Sequence, residues 1–413
     1  MTPSDEGHVA IAGAGLSGAS VARELVEGSN LAVTVFDPLP HVAGHCHTER
    51  DPETGIMIHV YGPHIFHTHD SKTWAFVNRF AAFHPYRHRV LASTSRGVFT
   101  LPISLGTINA FFGVSLTPDQ AKPFLAARTI QAAGEPRNFE EAALATVGPE
   151  LYEGFFRAYT SKQWGVDPRS LPASIFRRQR LVFEHEDAYF DDPFQGVPRD
   201  GYTALVNRML EHERIELVLG ESLTRKDARS FDHVFFSGAI DDYFGRSEGA
   251  LGYRTLDFKR EVHPGVYQEN SVVNDCRPEV PFTRVTEPKH FAPWESHDST
   301  VILKEFPRDA REGDAPYYPM RRAGDLERLR RYMALAARER AISFIGRLGT
   351  YRYLDMHQVI AEGRGAARAY LDSLRRGREC PVFPVDPLDY SRRSQKAIPE
   401  RAVSGSLPKR RSM

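Results

Sequence analysis

A short apolar run at 8–12, His-Val-Ala-Ile-Ala, gives way to three glycines within 13–18. A stretch at 19–27 follows with apolar residues at helical spacing, then a second apolar run at 31–36 that ends on Asp37. Continuous apolar runs of this length bounded by glycine predict strands buried on both faces, and the periodic stretch between them predicts a helix. Strand, glycine turn, helix, strand and acid together predict a βαβ unit. From about 104 to 165 the period becomes helical, with helices predicted over 107–112, 118–127, 139–147 and 150–159. From about 215 to 305 short β-type runs at 215–219, 233–237, 253–259, 271–273 and 300–306 are broken by proline and glycine. They predict a mostly antiparallel sheet together with strands that return to the first core. An amphipathic helix is predicted over 324–339, a buried strand over 341–345 and a last helix over 356–374. The segment after Arg375, rich in Pro, Ser, Arg and Lys, is expected to be loosely ordered.

Composition narrows this picture only a little. The 413 residues are 41% hydrophobic, enough for two or three domains with sizeable cores. Lys plus Arg and Asp plus Glu balance at 53 each, which gives no global bias toward nucleic acid or an anionic membrane. An anionic partner must therefore be met by local cations, and only nine of the basic residues are lysines. The remaining guanidiniums suit bidentate phosphate contacts. Three cysteines, Cys46, Cys276 and Cys380, have no paired spacing for a disulfide framework or a zinc site, so a reducing compartment is expected. The N-terminus has no charged region ahead of a long apolar stretch and no window reaches membrane-span length. A cytoplasmic protein is the expectation.

Gly13-Ala14-Gly15-Leu16-Ser17-Gly18 followed by Asp37 carries the first chemistry. Glycines let backbone approach a pyrophosphate at a helix N-terminus, where free N–H groups favour anions, and the acid is placed for ribose hydroxyls. This predicts dinucleotide binding without deciding between FAD and NAD. The decision comes from Gly-Arg-Leu-Gly-Thr-Tyr-Arg-Tyr-Leu-Asp-Met at 346–356, which follows the late strand. A late strand, glycine turn and helix N-terminus returning beside the first turn is an arrangement many flavoproteins use, so FAD is expected. Arg347, Tyr351, Arg352, Tyr353 and Asp355 are crowded there, and burying them needs a partner for every polar atom. The crowding predicts that the segment holds a ligand. Five histidines, His45, His47, His64, His67 and His69, match no zinc or iron spacing, and no metal is expected.

The segments YGPHIFHT (61–68), YTSKQWG (159–165), VPFTRVTEPKHF (280–291), PYYP (316–319) and GRLGTYRYLDMHQVI (346–360) resemble, in order, those of the UDP-galactopyranose mutase family. The resemblance runs from about 8 to 372. It implies an α/β fold: a Rossmann-like FAD-binding domain (1–80, 200–245 and 341–375) with an inserted helical domain (104–199) and an antiparallel sheet domain (81–103 and 246–340), ahead of a C-terminal tail (376–413). It also implies that reduced FAD acts as a nucleophile: N5 attacks the anomeric carbon, the nucleoside diphosphate leaves, and pyranose and furanose interconvert with no net redox change. NAD(P)H or a reductase is expected to reduce the FAD. A UDP-hexose is the implied substrate, galactose first, and a homodimer is expected.

By the same resemblance Arg178 and Arg284 clamp the diphosphate, and Tyr189, Tyr318 and Tyr353 bind phosphate. Tyr159 and Trp164 line the pocket, Phe190 offers a face to uracil, and Asn274 joins the substrate contacts. His64 stands near the flavin, Arg347 near the flavin or its phosphates, and Asp355 holds tyrosines or accepts a sugar hydroxyl. Arg178, Arg284, His64, Tyr353 and Asp355 form the implied catalytic set. Gly13, Gly15, Leu16, Ser17, Gly18, Asp37, Gly44, His45, His64, Arg347, Asp355 and Met356 form the implied cofactor set. Two departures bear on this: Ala43-Gly44-His45-Cys46-His47 stands where the family has Gly-Gly-Asn-Ala-Tyr, and Arg178-Gln179-Arg180-Leu181-Val182 where it has Arg-x-Pro-Val-Arg. They leave open another nucleotide hexose, such as an N-acetyl or deoxy sugar. A flavin amine oxidase or desaturase, and an idle nucleotide-sugar binder that keeps FAD as a structural element, are the rival readings.

Overall fold

Five parallel strands, in the order Ile215–Leu219, Ala32–Asp37, His8–Ala12, His233–Phe236 and Ile342–Phe344, form the sheet that carries the glycine turn in this computed structural model. The structure describes residues 6–130, 134–176 and 179–389. Successive residues of the central strand serve opposite faces, as the pleat requires. Val9 and Ile11 pack with helices Leu16–Gly28, Gly201–Leu210 and Met356–Arg375. Ala10 and Ala12 pack with Leu329 and Tyr332 of helix Ala323–Ala336. Both faces are therefore covered, which is why these strands read as unbroken apolar runs.

A second sheet has seven strands, running from Tyr318–Pro319 through Tyr253–Pro264, Ser299–Asp309, Arg284–Thr286, Val272–Asp275 and Val90–Thr94 to Gly97–Leu101. Every pairing in it is antiparallel except that of Val272–Asp275 with Val90–Thr94. Helices Leu105–Phe112, Pro118–Ala126, Phe139–Leu151 and Ala158–Trp164 lie between the two sheets in sequence and share a core built on Ile108, Phe111, Phe139, Leu151, Phe155 and Phe156.

Three sequence expectations need correction. The first helix starts at Leu16 rather than 19, because the glycine turn is already its N-terminus. The helix expected at 150–159 is present but runs on to Trp164, and its middle is not α. Gly148 (φ 79°, ψ 169°) interrupts Phe139–Leu151, Pro149 reopens it, and Tyr152–Arg157 continues as a π-turn into Ala158–Trp164. The tail is not loose at its start: Val382 and Phe383 pack on the core, and the Phe344 N–H donates to the Val382 carbonyl at 2.8 Å. Apolar residues in Cys-Pro-Val-Phe cover the sheet edge that Ile342–Phe344 would otherwise leave bare. Residues 390–413 lie outside the described residues. Among those described, no helix is long and apolar enough to cross a membrane.

Candidate active site

Gly13 has φ 111°, and a Cβ there would lie 2.1 Å from Ser237 Oγ, so only glycine makes this turn. Gly15 is the N-cap of helix Leu16–Gly28 and supplies no capping side chain, which leaves the first-turn N–H groups without a side-chain acceptor. Ser17 Oγ is buried there without a hydrogen-bond partner. The late segment lands on the same spot. Gly346 has φ 70°, and a Cβ on it would meet Ser17 Oγ at 3.0 Å. The Ala43 N–H donates to the Ala14 carbonyl at 2.9 Å, which brings the turn Gly44–Cys46 alongside.

Asp37 accepts the Ala14 N–H at 2.8 Å and the Leu39 N–H at 2.9 Å. Burial raises its carboxyl pKa, and those two N–H groups pull the other way. Its first task is thus to hold the glycine turn, and each oxygen retains a second lone pair. Leu16 is a core residue and Met356 packs partly into the same core, so their side chains serve the fold.

Beyond the turn, His45 stacks on Tyr317 with ring centroids 4.9 Å apart. His64 Nδ1 lies 2.7 Å from the Gly62 carbonyl, and its backbone N–H donates to His59 Nδ1 at 2.9 Å. Burial, helped by nearby Arg347 and His64, lowers the His45 pKa to about 3. Burial lowers His59 to about 3 and His64 to about 4. All three imidazoles are therefore neutral near pH 7. Arg347 donates to the carbonyls of Tyr317 at 3.3 Å and Leu354 at 2.6 Å, and its guanidinium sits 4.7 Å from the centre of the Tyr353 ring.

A cationic wall faces this cluster. Strand register sets Arg284 opposite Asn274 on one side and Glu305 on the other. Arg284 donates to Asn274 Oδ1 at 3.2 Å and to the Tyr159 hydroxyl at 3.0 Å, with Glu305 Oε1 at 3.8 Å. Burial works against its charge, but Glu305 and the two tyrosines Tyr159 and Tyr318 outweigh that and hold its pKa well above the ordinary arginine value. Burial pushes the Tyr159 phenol up to about 12 and raises that of Tyr318 as well. Tyr318 and Tyr353 meet with centroids 5.5 Å apart. Trp164 closes the helix that carries Tyr159.

Several expected residues have structural partners of their own. Tyr351 is fully buried and its hydroxyl donates to the Gly252 carbonyl. Arg352, 1% exposed, forms a bidentate pair with Glu362 and donates to Thr350 Oγ1 at 3.1 Å. These two hold the core behind the late strand, so the crowded segment is only partly a pocket wall. Asp355 is the N-cap of helix Met356–Arg375, in a capping box with Gln358. Phe190 has one face occupied by His67, parallel at 3.7 Å, so that face is closed to a base. Tyr189 meets His88 and Phe190 edge-on. Arg178 lies outside the described residues. His45 and His64 lie near Arg347, whereas His67 pairs with Asp192 and His69 is exposed beside Asp191 and Asp192.

A protein-family model described as UDP-galactopyranose mutase matches residues 154–353, the stretch that holds the cationic wall. A model of an NAD(P)-binding Rossmann-like domain matches 11–80. A probable UDP-galactopyranose mutase of Klebsiella pneumoniae is 45% identical over 92% of this chain and 98% of its own length. The chain belongs to the UDP-galactopyranose mutase family. A dTDP-fucopyranose mutase of Escherichia coli is 44% identical over 88% of the chain and 98% of its own length. In three dimensions the fold is that of a reduced UDP-galactopyranose mutase (TM-score 0.71, 16% identity, 93% of this chain and 99% of that one). As a member of this family the chain is a mutase, an isomerase acting on a nucleotide sugar. The two relatives are equally similar and differ in both base and sugar, so identity alone leaves those open.

Glu305, His59 and Tyr317 escaped the sequence reading. Glu305 had a signal: it shares a strand face with Leu303 inside the apolar run Val-Ile-Leu-Lys-Glu-Phe, an inward position where a carboxylate needs a purpose. It is 2% exposed with Oε1 unpartnered by hydrogen bonds, and burial raises its pKa against the pull of Arg284.

Proposed function

We propose that the protein interconverts UDP-galactopyranose and UDP-galactofuranose with FAD in its reduced form. The observation that carries this reading is Arg284, a half-buried guanidinium that donates to an amide and a phenol and has a carboxylate at 3.8 Å. A diphosphate that leaves a sugar gathers negative charge, and a preorganised cation in a water-poor site stabilises that charge without reorganising. Burial keeps Tyr159 and Tyr318 protonated, so their hydroxyls can donate around it, and Tyr353 is the third proposed phosphate contact. Arg178 is the second proposed cation.

The residues at the glycine turn fit FAD. The uncapped helix start and the unpartnered Ser17 hydroxyl suit a pyrophosphate, and Asp37 keeps free lone pairs for a ribose. His45, His64 and Arg347 would flank the isoalloxazine end. A reduced flavin there supplies an electron-rich nitrogen nucleophile. Neutral His64 donates its one N–H to the Gly62 carbonyl, so its Nε2 can only accept, and the ring adds no second positive charge beside Arg347. NAD(P)H is the proposed reductant, and a cytoplasmic homodimer the proposed working form.

A second sugar is favoured by one finding, the 44% identical dTDP-fucopyranose mutase. The test uses purified protein with UDP-galactofuranose and with dTDP-fucofuranose, each with and without dithionite, followed by chromatography. Conversion of the UDP sugar only after reduction supports the proposal. Preference for the dTDP sugar would transfer the assignment, and no conversion of either with bound, reduced flavin would overturn it.

A further inference from the structure

Helix Ala158–Trp164 and the hairpin 272–286 form the two sides of the cationic wall: Tyr159 and Trp164 stand on the first, Asn274 and Arg284 on the second. The Tyr159 hydroxyl and Arg284 guanidinium meet across the gap at 3.0 Å. A single hydrogen bond between phenol and guanidinium would not hold two elements in register, so another tie must fix the spacing.

That tie is Lys162. Its Nζ donates to four backbone carbonyls of the hairpin connection, those of Asp275 at 2.8 Å and of Arg277, Val280 and Phe282 at 3.0 Å. An ammonium has three protons and no acceptor, so four converging carbonyls enclose it as they would a bound cation. Lys162 lies one helical turn after Tyr159, on the same face. The far end of the helix is fastened separately. Arg254, 3% exposed, donates to the carbonyls of Gln163 at 2.9 Å and Lys162 at 3.1 Å and pairs with Asp309. The helix therefore cannot slide or turn against the sheet while both ties hold.

We propose that Lys162 is a positioning residue for the diphosphate site: it sets the separation of Tyr159 from Arg284 and so the geometry in which both meet the substrate's phosphates. This rests on the functional reading above. A compact point charge suits a ring of carbonyls, whereas the planar guanidinium fork addresses two acceptors at a time.

The test is a double-variant cycle read by nucleotide affinity at low temperature, where each protein is folded, with UDP and dTDP titrated in parallel and the tighter one used. Lys162→Met is expected to weaken nucleotide binding at least tenfold, to raise the Michaelis constant by a similar factor, and to leave bound flavin per chain unchanged. Tyr159→Phe added to Lys162→Met is expected to cost less than twofold more, because the phenol is already misplaced; a pair acting independently would multiply. Should Lys162→Met fail to fold, Lys162→Gln, whose amide reaches two of the carbonyls, is read by the same affinities, with an intermediate loss expected. Nucleotide affinity within twofold of the parent in a folded variant, or multiplying effects in the cycle, would overturn the inference and leave Lys162 a strut. A parent that binds neither nucleotide overturns the functional reading and this inference with it.

Discussion

Arg352 is buried and Arg284 half-buried, and their surroundings obey different rules. Behind the late strand Arg352 has a bidentate carboxylate and a hydroxyl, and its side chain is 1% exposed. At the wall between helix and hairpin Arg284 has one amide, one phenol and a carboxylate held off at 3.8 Å, and its side chain is 26% exposed. The first set is closed: each of the three guanidinium nitrogens has a hydrogen-bond partner, as burial demands. The second is looser, with its carboxylate partner beyond hydrogen-bond reach and a quarter of its side chain exposed. A fully matched arginine holds a fold together, whereas a partly matched one awaits an anion.

The largest expected effect breaks the open set. Arg284→Ala should lower kcat/KM by about 10³-fold, the scale of losing a preorganised donor to developing negative charge. Flavin content and melting temperature should stay near those of the parent, and steady-state kinetics beside absorbance spectra check both. Breaking the closed set should do the reverse. Arg352→Met strands Glu362 and should cost about 3 kcal/mol of stability in urea denaturation, while the folded fraction keeps its turnover. Equal loss of activity in both variants at a temperature where both are folded would erase the distinction.

A smaller effect sharpens the comparison. Tyr318→Phe removes one donor from the open wall and should lower kcat/KM by about tenfold, the worth of a single hydrogen bond to a charged group, with stability unchanged. The smallest effect concerns acid. His45, His59 and His64 titrate at about 3, about 3 and about 4 when folded because burial disfavours their charge, whereas an unfolded imidazole titrates at about 6.5. The unfolded state therefore takes up protons first, so stability is lost as pH falls from about 6.5 toward 4. His64→Gln should show a smaller drop in urea midpoint between pH 7 and 5 than the parent. An equal drop would place the acid sensitivity elsewhere.

The glycine turn, the acid after the second strand and the late strand were legible because each is local: a few residues in sequence make the whole feature. The mostly antiparallel sheet was legible for the same reason, from alternating runs. What sequence could not divide was the crowded segment 346–356. Tyr351 and Arg352 look as functional as Arg347 and Tyr353, and their opposite fates depend on Gly252 and Glu362, distant in the chain. Asp355, expected to hold tyrosines or accept a sugar hydroxyl, is also a helix cap, a local signal with Gln358 three residues on. Lys162 lies inside the segment YTSKQWG, yet its part was hidden, because carbonyls from another element have no sequence signature. The π-turn at Tyr152–Arg157 was hidden for a similar reason: a single extra residue in a helix leaves apolar spacing nearly intact.

The central claim is that the open wall serves an exchange in which the sugar departs and returns without oxidation. Its most direct measurement is product formed per reducing equivalent. Anaerobic protein is reduced with one equivalent of dithionite per flavin, excess UDP-galactofuranose is added, and pyranose product is counted against the flavin that remains reduced. The account predicts many product molecules per flavin with the reduced spectrum persisting throughout. Product that stops at one per flavin as the spectrum turns oxidised would contradict it.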